Sequence, residues 1–420
     1  MNADDRAFLF QVLRYAAALS SIFIGYGLIQ PLLSLYTSSF VGASYLLVGV
    51  LVSIIGLVKA VMGPVSGFMS DRYGRKRMAT LGALCVSISI LIVTLARGVP
   101  YLVIAFVLYG FGQAFFFLAI MTGMVEAAGP AKRALVLGIY EGLNNFSILI
   151  GTWLSGPLVA SLGVRRVFGI AAVFSFLSFL ACMFLVSETV GGDPEARFLE
   201  LTGLRGILNR EYLTAMYSAF LYMYTHSLYL TVIPLYTTLT IPIPEGFLPV
   251  LFMSLSGASA IGSIIAGPIS DRVGRRVPMA IGMVVAASSF VALLFSASLT
   301  ILVTSSLALG FGSGFFHPVA SAVVADISTM ENRGRAFGFF RLTRDLGVFA
   351  GPFVAGVVTS FFGVGALFSL NAGLMGVGAY LALFVLRETH VKSSGASGIQ
   401  RARSSRGQLS GRQDMWDSHG

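Results

Sequence analysis

Apolar residues in this chain are grouped into long uninterrupted runs rather than alternating with polar ones. The runs lie near 12–36, 44–69, 78–96, 101–126, 134–160, 167–187, 212–238, 248–270, 277–297, 300–325, 336–360 and 365–386. An α-helix needs about 20 mainly apolar residues to cross a bilayer, and every run is close to that length. The pattern therefore predicts twelve membrane-spanning helices, which we number as spans 1 to 12.

The polar stretches between these runs repeat 200 positions further along the chain. One such stretch, Gly67 to Lys76, ends span 2, and its counterpart, Gly267 to Arg276, ends span 8; we call both the charged motif. Other positions match at the same shift, including Glu126 with Asp326, Glu188 with Glu388 and Thr189 with Thr389. A unit of about 200 residues was therefore duplicated.

Composition fixes the class of protein. Hydrophobic residues make up 56% of the chain and charged residues 11%, and the mean hydropathy is +0.85. These values predict a membrane protein. The first apolar run is too long for the core of a signal peptide and lacks a convincing small-residue cleavage site, so we expect it to be an uncleaved span. The net charge of +10 would suggest nucleic acid in a soluble protein. Here most Lys and Arg fall in segments on one predicted side, whereas the other side holds Arg97, Arg165 and Arg166.

That asymmetry predicts cytoplasmic termini, a multi-pass location in the cell (plasma or inner) membrane and no nucleic-acid partner.

A Gly-Gly-Asp-Pro sequence at 191–194 indicates a linker between two halves. We expect an all-α membrane protein of 12 transmembrane helices in two six-helix repeats. The expected domains are 1–190, a cytoplasmic linker at 191–211, 212–390, and a disordered basic cytoplasmic tail at 391–420.

The charged motif reads G-x-x-x-D-R-x-G-R followed by Lys or Arg in both copies, and it closely resembles the loop signature of the major facilitator superfamily. The resemblance covers roughly 8–390 and implies alternating access around a small-molecule site near the bilayer midplane. It implies a monomer in the lipid bilayer and no cofactor, with a proton or other ion gradient as the energy source.

Two further features are similar to the drug/proton antiporter branch of that family. Span 1 contains Gly25 and Pro31 six residues apart, and span 11 contains Gly347, Gly351 and Pro352. Span 5 has its corresponding glycine displaced by one position. Span 4 lacks the arginine that many proton-coupled drug exporters place one turn before Gly110, which leaves the coupling ion open.

Under this resemblance the charged motif is a gate. Asp71 and its counterpart would lie at the cytoplasmic start of a helix in the opposite half, where a carboxylate is stabilised. Either Arg72 or Arg75 would pair with Glu126, and the same applies in the second half. The alternative is that these charges only fix topology. The predicted gating residues are Gly67, Asp71, Arg72, Gly74, Arg75, Glu126, Gly267, Asp271, Arg272, Gly274, Arg275 and Asp326.

Ionisable residues inside the spans are few, and each is a functional candidate because a charge in the membrane is costly. The predicted coupling or charge network comprises Lys59, Glu141, Arg341, Arg344 and Asp345. Lys59 and Asp345 lie at a similar depth, and helices 2 and 11 meet in the family, so we predict that they pair. Glu141 and Asp345 are the carboxylates deep enough to carry a proton. Alternatively, the cluster only orients the helices.

In the family, spans 1, 4, 7 and 10 line the cavity. The predicted cavity residues are Tyr26, Gln30, Gln113, Phe117, Tyr222, His226 and His317. Many rings and few charges suit an amphipathic substrate, although each ring could equally serve packing. No metal site is predicted, because neither histidine has a second ligand at a suitable spacing.

These features favour proton-coupled efflux of small amphipathic or drug-like compounds. The alternative is a symporter or facilitator for a small organic anion, sugar or other metabolite, and unpaired arginines facing the cavity would favour an anion. An enzyme is not predicted, because no motif for hydrolysis or ATP use is present.

Overall fold

A computed structural model describes residues 3–42, 44–128, 132–189, 208–240, 247–295, 298–329 and 332–389. Every regular element within these ranges is helical. The six spans of the N-terminal half are Ala3–Ile29, Tyr45–Tyr73, Arg75–Leu95, Val99–Ala128, Arg133–Leu162 and Val164–Phe184. Each one corresponds to a predicted apolar run.

Span 1 departs from its prediction as one helix over 12–36. It ends at Ile29, and after a turn at residues 30–32 the chain continues as a short helix, Leu33–Val41. Pro31 explains the break, because proline has no N–H for the helical hydrogen-bond ladder and its ring clashes with the preceding turn. The turn leaves Gln30 at the end of span 1, where it contacts the other half of the molecule.

The C-terminal half repeats this order. Spans 7 to 10 are Arg210–Thr240, Leu248–Val273, Arg276–Phe295 and Leu299–Ile327. A continuous stretch, Arg333–Tyr380, runs on into a π-helical segment, Leu381–Val385. Gly363 divides it with a φ of 83°, so residues 333–362 form span 11 and residues 364–385 form span 12. The predicted twelve spans are therefore confirmed.

Ten helices in the described part of the chain are long and apolar enough to cross a membrane, and the longest of them contains both spans 11 and 12. Span 7 is not among the ten, because tyrosine and hydroxyl residues lower its hydropathy. Several of its serine and threonine hydroxyls are nevertheless satisfied within the helix: Thr214, Ser218 and Thr225 each donate to a carbonyl four residues earlier. Such back-bonding lets a polar helix lie among apolar neighbours.

Each half buries its own hydrophobic core. One cluster extends from Tyr15 to Val186 and the other from Tyr212 to Leu386, and both include fully buried aromatic rings such as Phe106 and Phe290. Two separate cores agree with the duplication seen in the sequence. The predicted boundaries at 190/191 and 390/391, most of the linker and the tail fall outside the described residues.

The turn inside each charged motif is a single glycine. Gly74 has a φ of 100° and Gly274 a φ of 103°, a backbone conformation that glycine adopts without strain. Asp71 and Arg72 consequently lie on span 2, and Arg75 begins span 3. The charges of the motif are therefore carried by the ends of the two helices on either side of the glycine.

The two halves meet along spans 2 and 11 (interface 2/11) and along spans 5 and 8 (interface 5/8). At interface 2/11 the backbones are close: a Cβ added to Gly49 would lie 2.8 Å from Cα of Gly356. The short helix after span 1 also reaches the second half, where Ser34 donates a hydrogen bond of 2.9 Å to the carbonyl of Leu230. These contacts lie on the side of the molecule opposite the charged motifs.

Candidate transport site and gates

The N-terminal charged motif is organised around Arg75. Its guanidinium forms an ion pair with Asp71 one turn earlier and a second one with Glu126, with 3.0 Å between Nη2 and Oε1. Thr189 donates to the same carboxylate at 2.8 Å. Of the two arginines proposed to meet Glu126, Arg75 makes the contact, while the guanidinium of Arg72 lies 5.7 Å from the centre of the Tyr73 ring.

The C-terminal motif has the same arrangement. Arg275 pairs with Asp271 at 2.6 Å and, through Nε, with Oδ2 of Asp326 at 3.0 Å. Thr389 donates to Asp326 at 3.2 Å. Arg275, rather than Arg272, therefore makes the predicted contact with Asp326, and the duplication extends to individual side-chain bonds.

A second carboxylate at each charged motif was missed by sequence reasoning. Glu188 accepts the backbone N–H of Arg75 at 2.6 Å, and Glu388 accepts that of Arg275 at 2.7 Å. Both carboxylates thus cap the N-terminus of a span, where free N–H groups and the helix dipole stabilise negative charge. The signal was present in the sequence, because the 200-residue shift pairs Glu188 with Glu388.

The proposed contact of Asp71 or Asp271 with the opposite half remains a prediction. The segments that lead into spans 5 and 11, residues 129–131 and 330–331, lie outside the described residues. The motif glycines differ in their surroundings: a Cβ on Gly67 would lie 3.5 Å from the Leu118 side chain, whereas one on Gly267 would meet nothing within 4 Å.

The predicted pair between Lys59 and Asp345 is present at interface 2/11. Its Nζ and Oδ1 atoms lie 3.1 Å apart, and the two side chains are 16% and 10% exposed. Nζ of Lys59 also lies 5.9 Å from the centre of the Phe117 ring, within the range of a cation–π contact. A buried lysine and a buried aspartate thus neutralise each other across the two halves.

The other members of the predicted charge network are not paired in this way. Nη1 of Arg341 lies 4.0 Å from Sδ of Met121 in span 4, a weak contact across the interface. Arg344 and Glu141 make no hydrogen bond or ion pair within the described part of the chain. Both arginines are half-buried, and Glu141 is exposed on the surface of the protein.

Four of the seven predicted cavity residues form one cluster between the halves. Nε2 of Gln30 lies 3.4 Å from Nε2 of His226, which joins span 1 to span 7. The Tyr222 ring stacks on that of His317 with 4.1 Å between centroids and 3° between planes. The centroid of the Tyr222 ring also lies 6.3 Å from that of His226, with 25° between the ring planes, so spans 1, 7 and 10 converge on this point.

The other three predicted cavity residues belong to the N-terminal half. Phe117 stacks on Phe23 at 4.9 Å, and Tyr26 packs against the first core. Gln113 is buried, with 8% of its surface exposed. Packing is therefore established for these rings, and Phe117 alone among the three also contacts the ion pair, through Lys59.

Several buried polar atoms have no hydrogen-bond partner among the described residues: Oε1 of Gln30 and Nδ1 of His317 in this cluster, and Oδ1 of Asn144 in span 5. Buried polar atoms are usually satisfied by protein, water or ligand, so these atoms are available to a bound molecule. Asn144 was not identified from the sequence, where nothing distinguished it from Asn145. Within the described residues, no group of three or more His, Cys, Asp or Glu side chains could hold a metal ion.

Comparison with curated proteins identifies relatives along nearly the whole chain. The multidrug resistance protein MdtG of Dickeya zeae is 26% identical over 398 residues, covering 89% of this chain and 94% of that protein. MdtG of Salmonella paratyphi A is 25% identical over 371 residues, covering 83% of this chain and 89% of the relative. Both relatives are named for multidrug resistance.

Solved structures share the fold. A peptide transporter matches with a TM-score of 0.72 and 15% identity, covering 89% of this chain and 93% of that one. A D-xylose-proton symporter matches at 0.71 and 16%, covering 90% and 98%. The human organic anion transporter MFSD10 matches at 0.66 and 17%, covering 89% and 99%. At these identities the likeness concerns the fold alone.

The model of the Major Facilitator Superfamily matches residues 15–257 and 216–416. The two matches overlap at 216–257 and together cover both duplicated halves, each with its own core and its own arginine-centred ion-pair cluster. With its twelve spans, this chain belongs to the major facilitator superfamily.

Proposed function

We propose that this protein is a proton-coupled exporter of small amphipathic, drug-like compounds that works by alternating access in the cell membrane. The two halves would rock about the substrate cluster at their interface. The curated relatives named for multidrug resistance support this proposal, as does an aromatic cluster suited to substrates held by burial and stacking.

The observation that carries the proposal is the difference between Glu141 and Asp345, the two carboxylates that lie within the membrane spans. Asp345 is occupied by Lys59 at 3.1 Å, whereas Glu141 is exposed and has no ion pair or hydrogen bond among the described residues. A free carboxylate can bind either a proton or the positive group of a substrate. Because the two ligands exclude each other, binding of one favours release of the other, which is the requirement for antiport.

The test is transport in proteoliposomes with an imposed pH gradient, with the wild type and Glu141→Gln compared for a panel of lipophilic cations. In wild-type vesicles the cations are expected to move in one direction as protons move down their gradient in the other. Glu141→Gln is expected to abolish the part of cation transport that is driven by the gradient. Glu211→Gln, at the cytoplasmic start of span 7, is the matched control and should transport like the wild type. A cation transport rate that changes neither with the pH gradient nor with the Glu141 substitution would contradict proton coupling through this residue.

A second candidate is a carrier for an organic anion, and the unpaired arginines favour it. Arg344 has no ion-pair partner among the described residues, and Arg341 contacts only a methionine sulfur there. Uptake of aromatic carboxylates by the same vesicles tests this function. A carrier of anions would lose that uptake in Arg344→Gln and would be indifferent to lipophilic cations.

A further inference from the structure

Aromatic rings from three spans form a column beside the interface between the halves. In order they are His226 and Tyr222 of span 7, His317 of span 10 and Phe340 of span 11, and we call them the ring column. Successive centroids lie 6.3, 4.1 and 6.1 Å apart, with 25°, 3° and 11° between the ring planes. The first three rings are only half-buried, so a ligand can reach them. Such a column can hold another flat ring by burial and stacking.

One end of the ring column meets the N-terminal half at Gln30. Nε2 of this glutamine lies 3.4 Å from Nε2 of His226, and the residue is 5% exposed. Its other polar atom, Oε1, is buried and has no hydrogen-bond partner among the described residues. The two amide atoms share one carbon, so Oε1 lies within about 6 Å of Nε2 of His226. A vacant hydrogen-bond acceptor therefore lies at the end of the column.

The chemistry of that vacant atom limits what can bind to it. An amide oxygen accepts hydrogen bonds and cannot donate them. Buried polar groups are nearly always paired, and leaving one unpaired is costly. A ligand that satisfies Oε1 must therefore carry an O–H or N–H group, because a methyl or methoxy group in the same place would leave the oxygen unpaired.

The duplicated half shows that the fold does not need polar side chains at these positions. The position equivalent to Gln30 is Leu230, and the position equivalent to His317 is Phe117. Leucine and phenylalanine thus meet the packing requirement at the corresponding places. The polar groups of Gln30 and His317 are therefore additions to the fold, and they point to a ligand.

Spans 2 and 11 diverge toward the charged motifs. Gly49, Gly56 and Gly63 are spaced by seven residues and share one face of span 2. A Cβ added to Gly49 or Gly56 would overlap the backbone of span 11, whereas one added to Gly63 would meet nothing within 4 Å. The gap on the predicted cytoplasmic side gives a compound from that side a route between the halves.

We propose that this transporter selects aromatic compounds that carry a hydroxyl or N–H donor, with the ring against His226 and Tyr222 and the donor on Oε1 of Gln30. The proposal rests on the transport function proposed above and names its substrate class. Gln30 is then the residue that determines specificity. Because the ring column belongs to the C-terminal half and Gln30 to the N-terminal half, such a ligand contacts both halves at once.

The test is equilibrium dialysis of three uncharged probes against the purified full-length protein in detergent, with empty micelles as the background. The probes share one ring system. 7-Hydroxycoumarin carries a donor, 7-methoxycoumarin carries an acceptor only, and 7-methylcoumarin carries neither, although its methyl group is close in size to the hydroxyl. The pH is kept below the pKa of the phenol.

The wild type is expected to bind the hydroxyl probe at least about tenfold more tightly than either of the others, because only this probe pairs the buried oxygen. Equal binding of the three probes, including no binding at all, would overturn the proposal. Tightest binding of the methoxy or the methyl probe would also overturn it.

One substitution assigns the donor to Gln30. Gln30→Leu introduces the residue of the equivalent position and is expected to weaken the hydroxyl probe to the level of the methyl probe, whose own affinity stays unchanged. Gln11→Leu, at a half-buried glutamine in the first half of span 1, is the matched control and should keep the preference for the hydroxyl probe. A Gln30→Leu protein that keeps this preference would overturn the assignment.

Misfolding is separated from loss of the hydrogen bond by the methyl probe, which a folded variant still binds. If Gln30→Leu binds none of the probes, Gln30→Met, unbranched like glutamine, provides the decision: it should bind the methyl probe and lose the preference, and a retained preference would overturn the assignment. The comparison of the three probes in the wild type stands without any variant.

Failure of this proposal is distinguishable from failure of the proposed function, because the probes are uncharged and need neither Glu141 nor a gradient. Loss of proton coupling with the hydroxyl preference intact would refute only the proposed function. Equal affinities in a protein that exports cations would refute only the substrate class proposed here.

Discussion

The two interfaces between the halves are equivalent by duplication and differ in chemistry. Interface 2/11 contains the Lys59–Asp345 ion pair and close backbone contacts at Gly49 and Gly56. At interface 5/8 the equivalent positions of the ion pair are Ser259 and Asn145, which are neutral. A Cβ on Gly257 in span 8 would meet nothing within 4 Å. Interface 2/11 thus has a charge pair and close backbone contacts, whereas interface 5/8 has neutral residues at the positions equivalent to the pair.

The largest expected effect comes from breaking the ion pair of interface 2/11. Lys59→Ser or Asp345→Asn alone leaves a buried charge without its partner, which costs about 3–5 kcal/mol in unfolding free energy. The double variant gives interface 2/11 the neutral pair of interface 5/8 and is expected to recover most of that loss. Chemical denaturation in detergent measures all three, and single variants as stable as the wild type would show that the pair contributes nothing.

A smaller effect is expected from the glycines. A Cβ at Gly56 would overlap the backbone at Phe349, so Gly56→Ala is expected to lose about 1–3 kcal/mol through overpacking. Gly257→Ala in span 8 is the control substitution. It has open space and gains helix propensity, so its stability should be unchanged or raised by up to about 1 kcal/mol. Equal losses in both variants would show that the close backbone contact at Gly56 does not determine the cost.

The two charged motifs, unlike the two interfaces, are alike in both halves. Glu188→Gln and Glu388→Gln each remove a carboxylate from a helix N-terminus, at an expected cost of about 1 kcal/mol each. The two losses should be similar and should add in the double variant, since the sites share no partner. Thermal unfolding of the purified protein measures them, and a loss confined to one half would show that the gates have diverged as the interfaces have.

The smallest effect is expected from Asp71→Asn, which tests the predicted contact of the gate with the opposite half. Loss of about 0.3–1 kcal/mol from the closed gate is expected to raise the labelling rate of Asn145→Cys by about two- to fivefold. A water-soluble maleimide measures that rate, and the native Cys85 and Cys182 are buried. Asp271→Asn is the matched variant in the other half. An unchanged rate in both would limit the motif to fixing topology.

Most of the architecture could be predicted from the sequence because bilayer thickness dictates the length of an apolar run. The Lys59–Asp345 pair could also be predicted, since counting residues from the charged motifs gives the depth of each side chain and the family resemblance gives the neighbouring helices. Span 7 shows the limit of hydropathy alone. Hydroxyls such as those of Thr214 and Ser218 donate to carbonyls of the same helix, and an average over residue types does not register these bonds.

Contacts that depend on rotation and register between the halves were beyond prediction. Gln30 meets His226 only because Pro31 ends span 1 at that depth, and the sequence does not state how far each helix is turned toward its neighbour. Glu188 was missed for a different reason. The repeat identified it, but its role as a cap depends on the end of span 6 lying beside the start of span 3.

That cap has a consequence for how the protein is made. Ribosomal synthesis delivers the chain from its N-terminus, so Arg75 and Glu126 are in the membrane before Glu188 and Thr189 exist. The bonds that tie spans 3 and 4 to the end of span 6 therefore form only when the sixth helix has been completed. Glu388 and Thr389 repeat this timing at the end of the second unit. The last two residues of each six-helix unit therefore supply its final hydrogen bonds between the ends of its helices. A nascent chain stopped just short of residue 188 would contain six helices without these bonds.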